Sequence, residues 1–389
     1  MNSLLKLFEI FVVSLKLGCT SFGGPTAHLS FFQHEYVQKR KWLTDKEYSN
    51  VVALSQFLPG PASSQVGMGI GLLRGGFFGS IVSFLGFTLP SVLLLSLFAY
   101  FYMESKLDMG WIHGLKLVAV AIVAQAIWDM SKKLISSQLH IIMAILSFIT
   151  VLLWGNPFAQ VIVITCAGLF GSRLLKQPHN AVDFSNKGLA ISKATGGLLL
   201  AVFLLLLFAF PLATSLFDNK WLIIMEKCYK AGALVFGGGH VVLPLLETQF
   251  VQSGLMNATD FIAGYGLTQA MPGPLFTFAS YIGMVIAGVP GAVVATLAIF
   301  LPAFLLIVGA MPFWLTLSRH SALTGAMAGA NAAVVGILAS AFIHPIVTQS
   351  IQSGFDFIIA AVFLWLSIRR AWSPYLLVLM GIIVGLLCY

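Results

Sequence analysis

Charged residues are scarce in this chain, and their absence from long stretches decides its class. Only 9% of the 389 residues are Asp, Glu, Lys or Arg, against roughly 25% in soluble domains. Each uncharged stretch is long enough for at least one bilayer crossing, which takes about 20 apolar residues. Because none shows the alternation of barrel strands, the sequence predicts an all-α polytopic membrane protein. The stretches are 75–103, 134–172, 194–217, 261–318, 320–355 and 371–389.

Cysteine is also sparse, and the sequence offers no motif for a cofactor or a metal ion. The four cysteines show no C-x-x-C spacing, so neither a disulfide framework nor a metal site is indicated, and no cofactor is expected. The chain has a formal net charge of +8, but its Lys and Arg residues cluster at the ends of apolar segments. Because basic residues at such ends set membrane topology, no nucleic-acid partner is expected.

The chain contains two copies of one unit. Phe22-Gly23-Gly24-Pro25 is matched by Phe236-Gly237-Gly238-Gly239, and Pro59-Gly60-Pro61 is matched further along by Pro272-Gly273-Pro274. Matched motifs in one order and at nearly one spacing indicate a tandem duplication. Duplicated apolar units with broken helices are typical of transporters. The expected organisation is a first repeat at 1–175, a polar linker with one connecting transmembrane helix at 176–217, and a second repeat at 218–389.

The charge pattern predicts that the two repeats have opposite orientations. Basic residues favour the cytoplasmic ends of membrane segments. Lys39-Arg40-Lys41 and Lys132-Lys133 have uncharged counterparts in the second half, whereas Arg369-Arg370 matches an uncharged turn of the first half. One connecting helix between units with even numbers of crossings would invert the second unit. We therefore expect inverted repeats, with the N-terminus in the cytoplasm and the C-terminus outside.

Two segments are predicted to enter and leave the membrane at one face. Between Lys41 and Arg74 lie two short arms, one on each side of Pro59-Gly60-Pro61. At 1.5 Å per residue, arms of about a dozen residues cannot cross a core of roughly 30 Å. The segment should dip in and return with these prolines at its tip. The matching segment, tipped by Pro272-Gly273-Pro274, should dip from the opposite face.

The glycine breaks and the two tips supply four helix N-termini near the membrane midplane. Helix N-termini carry unpaired N–H groups and roughly half a positive charge, so they bind anions. Irregular backbone at this depth is tolerated where it lines a cavity, and we expect an anion site where these breaks converge. The predicted substrate-binding residues are Lys16, Ser21, Gly23, Gly24, Pro25, Gln56, Pro59, Gly60, Pro61, Lys116, Lys230, Gly237, Gly238, Gly239, His240, Gln269, Pro272, Gly273 and Pro274.

Several of these candidates have structural alternatives. Lys16 and Lys230, at equivalent places before the breaks, could snorkel to the interface or face the anion, as could Lys116 within its apolar helix. A second set of glycines could serve close helix packing only: Gly71, Gly79, Gly283 and Gly291. Three acidic residues could carry protons or form structural ion pairs: Glu35, Asp129 and Glu247.

As a set, these motifs resemble the chromate ion transporter family in its long, two-domain form, across nearly the whole chain. One departure is Leu255-Met256, where symmetry with Trp42-Leu43 would place a Trp-Leu pair. The resemblance rests on Phe22-Gly23-Gly24-Pro25, Glu35, Trp42-Leu43, Gln56 with Pro59-Gly60-Pro61, Gly114-Leu115-Lys116, Gln125-Ala126, Gly237-Gly238-Gly239-His240 and Gln269-Ala270-Met271-Pro272-Gly273-Pro274.

The resemblance implies a non-enzymatic transporter that exports chromate across the bacterial plasma membrane and confers chromate resistance. The expected partners are chromate or a similar oxyanion and the lipid bilayer, and a homodimer stays open. A dianion leaving a cell whose interior is negative gains roughly 4.6 kcal/mol at 100 mV, which favours efflux. Transport of another tetrahedral oxyanion such as sulfate, and a passive anion channel, remain alternatives. An intramembrane phosphatase is disfavoured because the sequence shows no acidic cluster.

Overall fold

The computed structural model describes residues 3–104, 110–154, 157–175, 191–236, 239–314, 317, 320–370 and 372–389, and these residues form helices and no strands. The first repeat comprises α1 (Ser3–Thr20), α2 (Gly24–Phe32, continued by a π-helix Gln33–Lys39), α3 (Asp45–Phe57), α4 (Ala62–Glu104), α5 (Gly110–Leu134), α6 (Gln138–Leu153) and α7 (Pro157–Leu174). A single helix, α8 (Lys193–Leu216), follows.

The second repeat has the same order of helices, and α8 has no counterpart among the described residues. Its helices are α9 (Lys220–Leu234), α10 (Val242–Phe250, after a 3-10 turn Gly239–Val241), α11 (Ala258–Thr268), α12 (Phe278–Ala310, after a 3-10 turn Leu275–Thr277), α13 (Ser321–Ala341, continued by a π-helix Phe342–Val347), α14 (Gly354–Arg370) and α15 (Pro374–Cys388). The predicted all-α architecture of two repeats joined by one extra helix is confirmed.

Five helical segments of the described chain are long and apolar enough to span a bilayer. They are Ala62–Met103, Gly110–Leu134, Lys193–Leu216, Leu275–Phe313 and Ser321–Ser350. Shorter apolar helices accompany them at Gln138–Leu153, Ala159–Leu174 and Pro374–Cys388. The chain is therefore a multi-pass membrane protein, as its uncharged stretches predicted.

The two longest helices, α4 and α12, bend sharply at equivalent glycines. Gly76 (φ 67°, ψ −159°) and Gly288 (φ 63°, ψ −158°) share one left-handed conformation, which a residue with a Cβ adopts only at a cost. After the bend α4 folds back on itself, since Ser83 Oγ donates to the carbonyl of Gly67 at 2.8 Å. A straight helix would separate these two residues by roughly 24 Å.

Close contact within each bend requires small residues. A Cβ built on Gly71 would lie 2.3 Å from the carbonyl oxygen of Gly79, and one on Gly283 would lie 2.2 Å from that of Gly291. The packing interpretation of these four glycines therefore fits the geometry.

The α1–α2 segment is a hairpin that returns to the face from which it starts. Glu9 near the start of α1 binds Arg40 beyond α2 at 3.2 Å, and Lys16 near the end of α1 binds Glu35 at 2.7 Å. These two ion pairs make the arms antiparallel. The tip of the hairpin is the break around Gly23.

The α3–α4 segment likewise returns to its own face, as the arm lengths predicted. Arg40 before α3 and Arg74 near the bend of α4 bind the two oxygens of the Glu9 carboxylate, each at 3.2 Å. Both guanidinium groups also lie over the Trp42 ring, at 5.6 and 4.9 Å from its centroid. Residues 45–74 therefore leave and rejoin one membrane face, with Pro59-Gly60-Pro61 at the tip.

The corresponding segment of the second repeat begins at the opposite face. After its bend, α4 continues for about 28 residues, or roughly 42 Å, which is enough to cross a bilayer. Near the end of this crossing, Tyr102 donates to Asp260 in the first turn of α11 at 2.5 Å. The two dipping segments therefore enter from opposite faces, and the repeats are inverted.

Helices of the two repeats pack closely against each other. In α5, a Cβ on Gly114 would lie 1.9 Å from the carbonyl oxygen of Gly381 in α15 of the other repeat. In α13, a Cβ on Gly329 would lie 2.1 Å from that of Ala167 in α7. Each repeat thus packs its last helix against the fifth helix of its counterpart. The sequence boundaries 1–175, 176–217 and 218–389 remain a proposal.

Cysteine labelling tests the dipping segment. We expect Lys46→Cys and Arg74→Cys to react with a membrane-impermeant thiol reagent from one and the same face. Leu255→Cys, just before α11, should react from the other face. The comparison uses intact cells and inverted vesicles in a background without native cysteines. Labelling of positions 46 and 74 from opposite faces would falsify the dipping segment.

Alanine substitution tests the bend of α4. Gly71→Ala places a Cβ against a backbone carbonyl that cannot move alone, and overpacking of this kind costs about 1–3 kcal/mol. We expect a lower melting temperature in detergent. Gly197→Ala in α8 is the matched control, because a Cβ there would meet no atom within 4 Å. Equal melting temperatures for Gly71→Ala and wild type would contradict the close contact.

Candidate binding cavity

A cavity of about 170 Å³ lies where the two repeats meet. One water molecule occupies about 30 Å³ in the liquid, so the cavity has room for a small ligand. Elements from both repeats form its wall. The lining residues are Gly23, Gly24, Ile122, Gln125, Ala126, Asp129, His240, Gln269, Met271, Gly273, Leu275, Trp372 and Pro374.

Three helix starts converge on this cavity. α2 begins at Gly24, after two consecutive residues with positive φ (Gly23, 90°; Gly24, 77°). His240 belongs to the 3-10 turn that leads into α10, and Leu275 begins the 3-10 turn that leads into α12. Because the first N–H groups of a helix lack intrahelical partners and carry partial positive charge, this arrangement favours an anion.

Two reciprocal backbone hydrogen bonds hold the tips in place. The N–H of Gly60 donates to the carbonyl of Val235 at 2.7 Å, and the N–H of Gly273 donates to the carbonyl of Ser21 at 2.8 Å. Each tip thus docks on the end of the broken helix of the other repeat. These two N–H groups are engaged within the protein, so they do not contribute donors to a ligand.

His240 and Gln269 add side-chain polarity to the cavity. The Nδ1 atom of His240 hydrogen-bonds with the Tyr265 hydroxyl at 3.1 Å. A Cβ built on Gly24 would lie 4.0 Å from His240 Nε2, so this nitrogen faces the start of α2. Gln269 is buried beside the Tyr265 hydroxyl, and its Nε2 makes no hydrogen bond of normal geometry within the part of the chain that the structure describes. An unused buried donor in a cavity wall favours a ligand that carries acceptor oxygens.

The α5 helix supplies the other wall. Ile122, Gln125, Ala126 and Asp129 follow the i, i+3, i+4, i+7 spacing of one helical face. Ser367 of α14 donates to Gln125 Oε1 and fixes that side chain. Asp129 is exposed and precedes the basic last turn of α5.

The cavity brings together Gly23, Gly24, His240, Gln269 and Gly273 of the predicted set. Ser21, Gly239, Pro272 and Pro274 adjoin them in sequence but are not among its described lining residues. The side chain of Pro25 lies outside the described part of the structure. Gln56, Pro59, Gly60 and Pro61 lie at the other tip, outside this cavity. Gly237 and Gly238 lie outside the described residues.

The predicted lysines do not line the cavity. Lys16 is paired with Glu35 at 2.7 Å. Lys116 is buried and donates to the carbonyl of Gln349 at 3.4 Å. Lys230 also lies outside the lining, and no lysine or arginine is among the lining residues that the structure describes. The geometry gives no support to a lysine as ligand here, and the role assigned to these residues stays a prediction.

The three acidic residues have different surroundings. Glu35 binds Lys16 and also Arg40 at 2.8 Å. Glu247 accepts from Gln252 at 3.0 Å. Asp129 lines the cavity, and no ion pair of this carboxylate occurs among the described residues.

Several residues that line the cavity were not among the predicted binding residues. The polar positions Gln125 and Asp129, four residues apart in an apolar helix, are a signal that could have indicated a lined face. Trp372 and Pro374 follow Arg369-Arg370 in the turn between two apolar segments. Nothing local to that turn indicated that it reaches a cavity.

Comparison with known proteins agrees with the repeat. Residues 8–172 and 222–386 each match the sequence model of a family described as Chromate transporter. The chain is 28% identical to an uncharacterized transporter of Methanocaldococcus jannaschii, over 97% of this chain and 94% of that protein. It is 27% identical to a chromate transport protein of Pseudomonas aeruginosa, over 76% of this chain and 70% of that protein.

A chromate transport protein of Cupriavidus metallidurans is 25% identical, over 87% of this chain and 82% of that protein. No solved structure matches the chain.

Proposed function

Because this chain belongs to the chromate transporter family, we propose that it carries chromate across the plasma membrane of a bacterial cell, outward from the cytoplasm. The chromate transport proteins of Pseudomonas aeruginosa and Cupriavidus metallidurans, which align with most of this chain, support the substrate. Export of chromate from the cytoplasm would confer resistance to it. The proposed binding site is the cavity between the two repeats.

The convergence of three helix starts on one polar cavity carries this proposal. A tetrahedral oxyanion presents acceptor oxygens in several directions. The N-terminus of α2, the turn at His240 and the turn at Leu275 all line the cavity that would hold such a ligand. The unused Nε2 donor of Gln269 adds a further contact. Helix N-termini bind oxyanions without any cationic side chain.

The position of the cavity supports loading from the cytoplasm. Trp111 at the start of α5 packs against Tyr102, 6.2 Å between ring centroids, at the face where α11 begins. α5 then crosses back, so Asp129 lies near the opposite face, beside Lys132 and Lys133. Basic residues favour the cytoplasmic side. The cavity therefore extends along α5 towards the proposed cytoplasmic face.

The same reasoning supports the proposed sides of the two termini. The N-terminal helix α1 carries Glu9, which binds Arg40 and Arg74 at the basic face. At the other end of the chain, the hydroxyl of Tyr389 donates to Asp356 in the first turn of α14, whereas the last turn holds Arg369 and Arg370. A cytoplasmic N-terminus and an external C-terminus follow from this proposal.

The membrane potential supports export. One charge moving through 100 mV is worth about 2.3 kcal/mol, so an anion leaves a negative interior downhill. Uptake would require coupled cations, and two of the three acidic candidates, Glu35 and Glu247, are bound by neighbouring side chains. The neutral donors of the cavity, which are the helix starts and the Gln269 amide, also favour a second candidate function. This function is transport of another tetrahedral oxyanion such as sulfate.

Flux of labelled chromate into inverted vesicles tests the proposal. We expect saturable uptake that increases with an inside-positive potential and that sulfate, molybdate and phosphate inhibit to different degrees. Vesicles without the protein are the control. Flux that never saturates would indicate a channel. Flux no greater than in the control vesicles would refute chromate as the substrate.

Valine at the start of α2 should abolish transport. Gly24→Val places a β-branched side chain at φ 77° and narrows the cavity beside His240. Gly254→Val is the matched control, because Gly254 has φ 76° and no atom within 4 Å of a built Cβ. The measurement is chromate flux at matched protein levels. An equal loss of flux in the two variants would show that backbone strain, and not narrowing of the cavity, causes the loss.

Loss of the free amide of Gln269 should weaken binding. Gln269→Leu removes a donor to a charged ligand, a contact worth roughly 1.5–3 kcal/mol. The concentration of chromate at half-maximal flux should therefore rise at least about tenfold. Gln138→Leu, at an exposed position at the start of α6, is the control. An unchanged half-saturation in Gln269→Leu would exclude this side chain from the site.

A further inference from the structure

The Tyr265 hydroxyl lies behind the cavity wall, next to two polar side chains of that wall. Tyr265 belongs to α11 and is buried, with 1% of its surface exposed. Its hydroxyl hydrogen-bonds with Nδ1 of His240 at 3.1 Å and lies beside the Gln269 amide. His240 and Gln269 line the cavity, whereas Tyr265 is not among the described lining residues. Tyr265 therefore acts on a ligand through these two side chains.

The hydrogen atom of the Tyr265 hydroxyl needs an acceptor at this buried position. A phenol has a single O–H to donate, and a buried donor without an acceptor costs free energy. Within the described part of the chain, this hydroxyl forms one hydrogen bond of normal geometry, and its partner is Nδ1 of His240. Nε2 of Gln269 is itself a donor, so it cannot take the hydrogen. The hydroxyl therefore donates to Nδ1, and Nδ1 carries no hydrogen of its own.

A neutral imidazole carries its hydrogen on one of its two nitrogens. Since Nδ1 accepts from Tyr265, the hydrogen of His240 resides on Nε2, which faces the start of α2 at Gly24. We propose that Tyr265 is a positioning residue that holds His240 in the Nε2–H form, so that this nitrogen donates to an oxyanion in the cavity. Given the oxyanion transport proposed above, on which this inference rests, His240 adds a donor to the helix starts and the Gln269 amide.

The hydroxyl controls both the rotation of the ring and the position of its hydrogen. A half-turn of the imidazole about its bond to Cβ would replace Nδ1 by a carbon atom and break the hydrogen bond with Tyr265. A shift of the hydrogen from Nε2 to Nδ1 would leave the hydroxyl without an acceptor. In that second form Nε2 would present a lone pair to the ligand, and two acceptors form no hydrogen bond. Without the hydroxyl, His240 would lose both constraints.

Nitrogen NMR of the purified protein in nanodiscs tests the assignment without any transport. The sample carries isotope-labelled histidines and is kept at about pH 8.5, where an unperturbed imidazole is neutral. The signals of His240 are those that disappear in His240→Gln and shift in Tyr265→Phe. We expect a protonated Nε2 and an unprotonated Nδ1 in the wild type. A protonated Nδ1, alone or in an equal mixture of the two forms, would overturn the inference.

Chromate flux in single and double variants tests whether Tyr265 acts through His240. Tyr265→Phe should raise the chromate concentration at half-maximal flux at least about threefold, because the hydrogen bond that fixes the donor is lost. In His240→Gln the amide supplies a donor that does not depend on Tyr265. Adding Tyr265→Phe to this variant should therefore change its half-saturation less than about 1.5-fold.

Tyr229→Phe is the matched control, because it removes a buried hydroxyl that donates to the carbonyl of Phe203 at 2.8 Å, away from the cavity. This variant should keep the wild-type half-saturation. An equal effect of Tyr265→Phe in the wild type and in His240→Gln would overturn the inference, since Tyr265 would then act through Gln269 or through packing. An unchanged half-saturation in Tyr265→Phe would overturn it as well. A wild type without chromate flux would refute the proposed function instead, and the NMR signals would still report the form of His240.

Discussion

Two hydrogen bonds between the repeats set the geometry of the membrane interior. The bilayer core has no water to satisfy the backbone groups that a broken helix exposes. Val235 and Ser21 each present a carbonyl at such a break, and the N–H groups of Gly60 and Gly273 satisfy them at 2.7 and 2.8 Å. Each break is therefore completed by the tip of the other repeat. This exchange is what allows irregular backbone, and hence free helix starts, to persist at the centre of the protein.

Closely packed helices also join the two repeats at the periphery of the protein. Membrane helices associate through small residues because apolar burial does not drive them together in lipid. Gly114 against Gly381, and Gly329 against Ala167, bring the fifth helix of each repeat onto the last helix of the other. Consequently α5 supplies one wall of the cavity, and α14 and α15 pack against α5. The cavity belongs to neither repeat alone.

Local sequence signals predicted the parts of this architecture that depend on local geometry. The short arms between Lys41 and Arg74 were enough to predict a dipping segment, and the matched motifs predicted Gly24 and Gly273 as neighbours of a site. The spacing of Gln125 and Asp129 indicates a polar helix face but not what it faces, and Trp372 has no local signal, because their proximity arises from packing between repeats. The proposed roles of the lysines depended on unknown partners, and Lys16 proves to have Glu35 beside it. Burial in a membrane makes such pairing the rule, but sequence does not identify the partner.

The described residues of the cavity lining include no lysine or arginine, which suits a cavity that must release its ligand. Separating a buried ion pair leaves an uncompensated charge and costs about 3–5 kcal/mol. A transporter that held its anion with a fixed ammonium group would meet this cost whenever the anion left. Helix N-termini and the Gln269 amide carry no full formal charge, so they leave no uncompensated cation when the ligand departs. A carboxylate at the cavity wall further disfavours strong retention, and the membrane potential can then drive the anion onward.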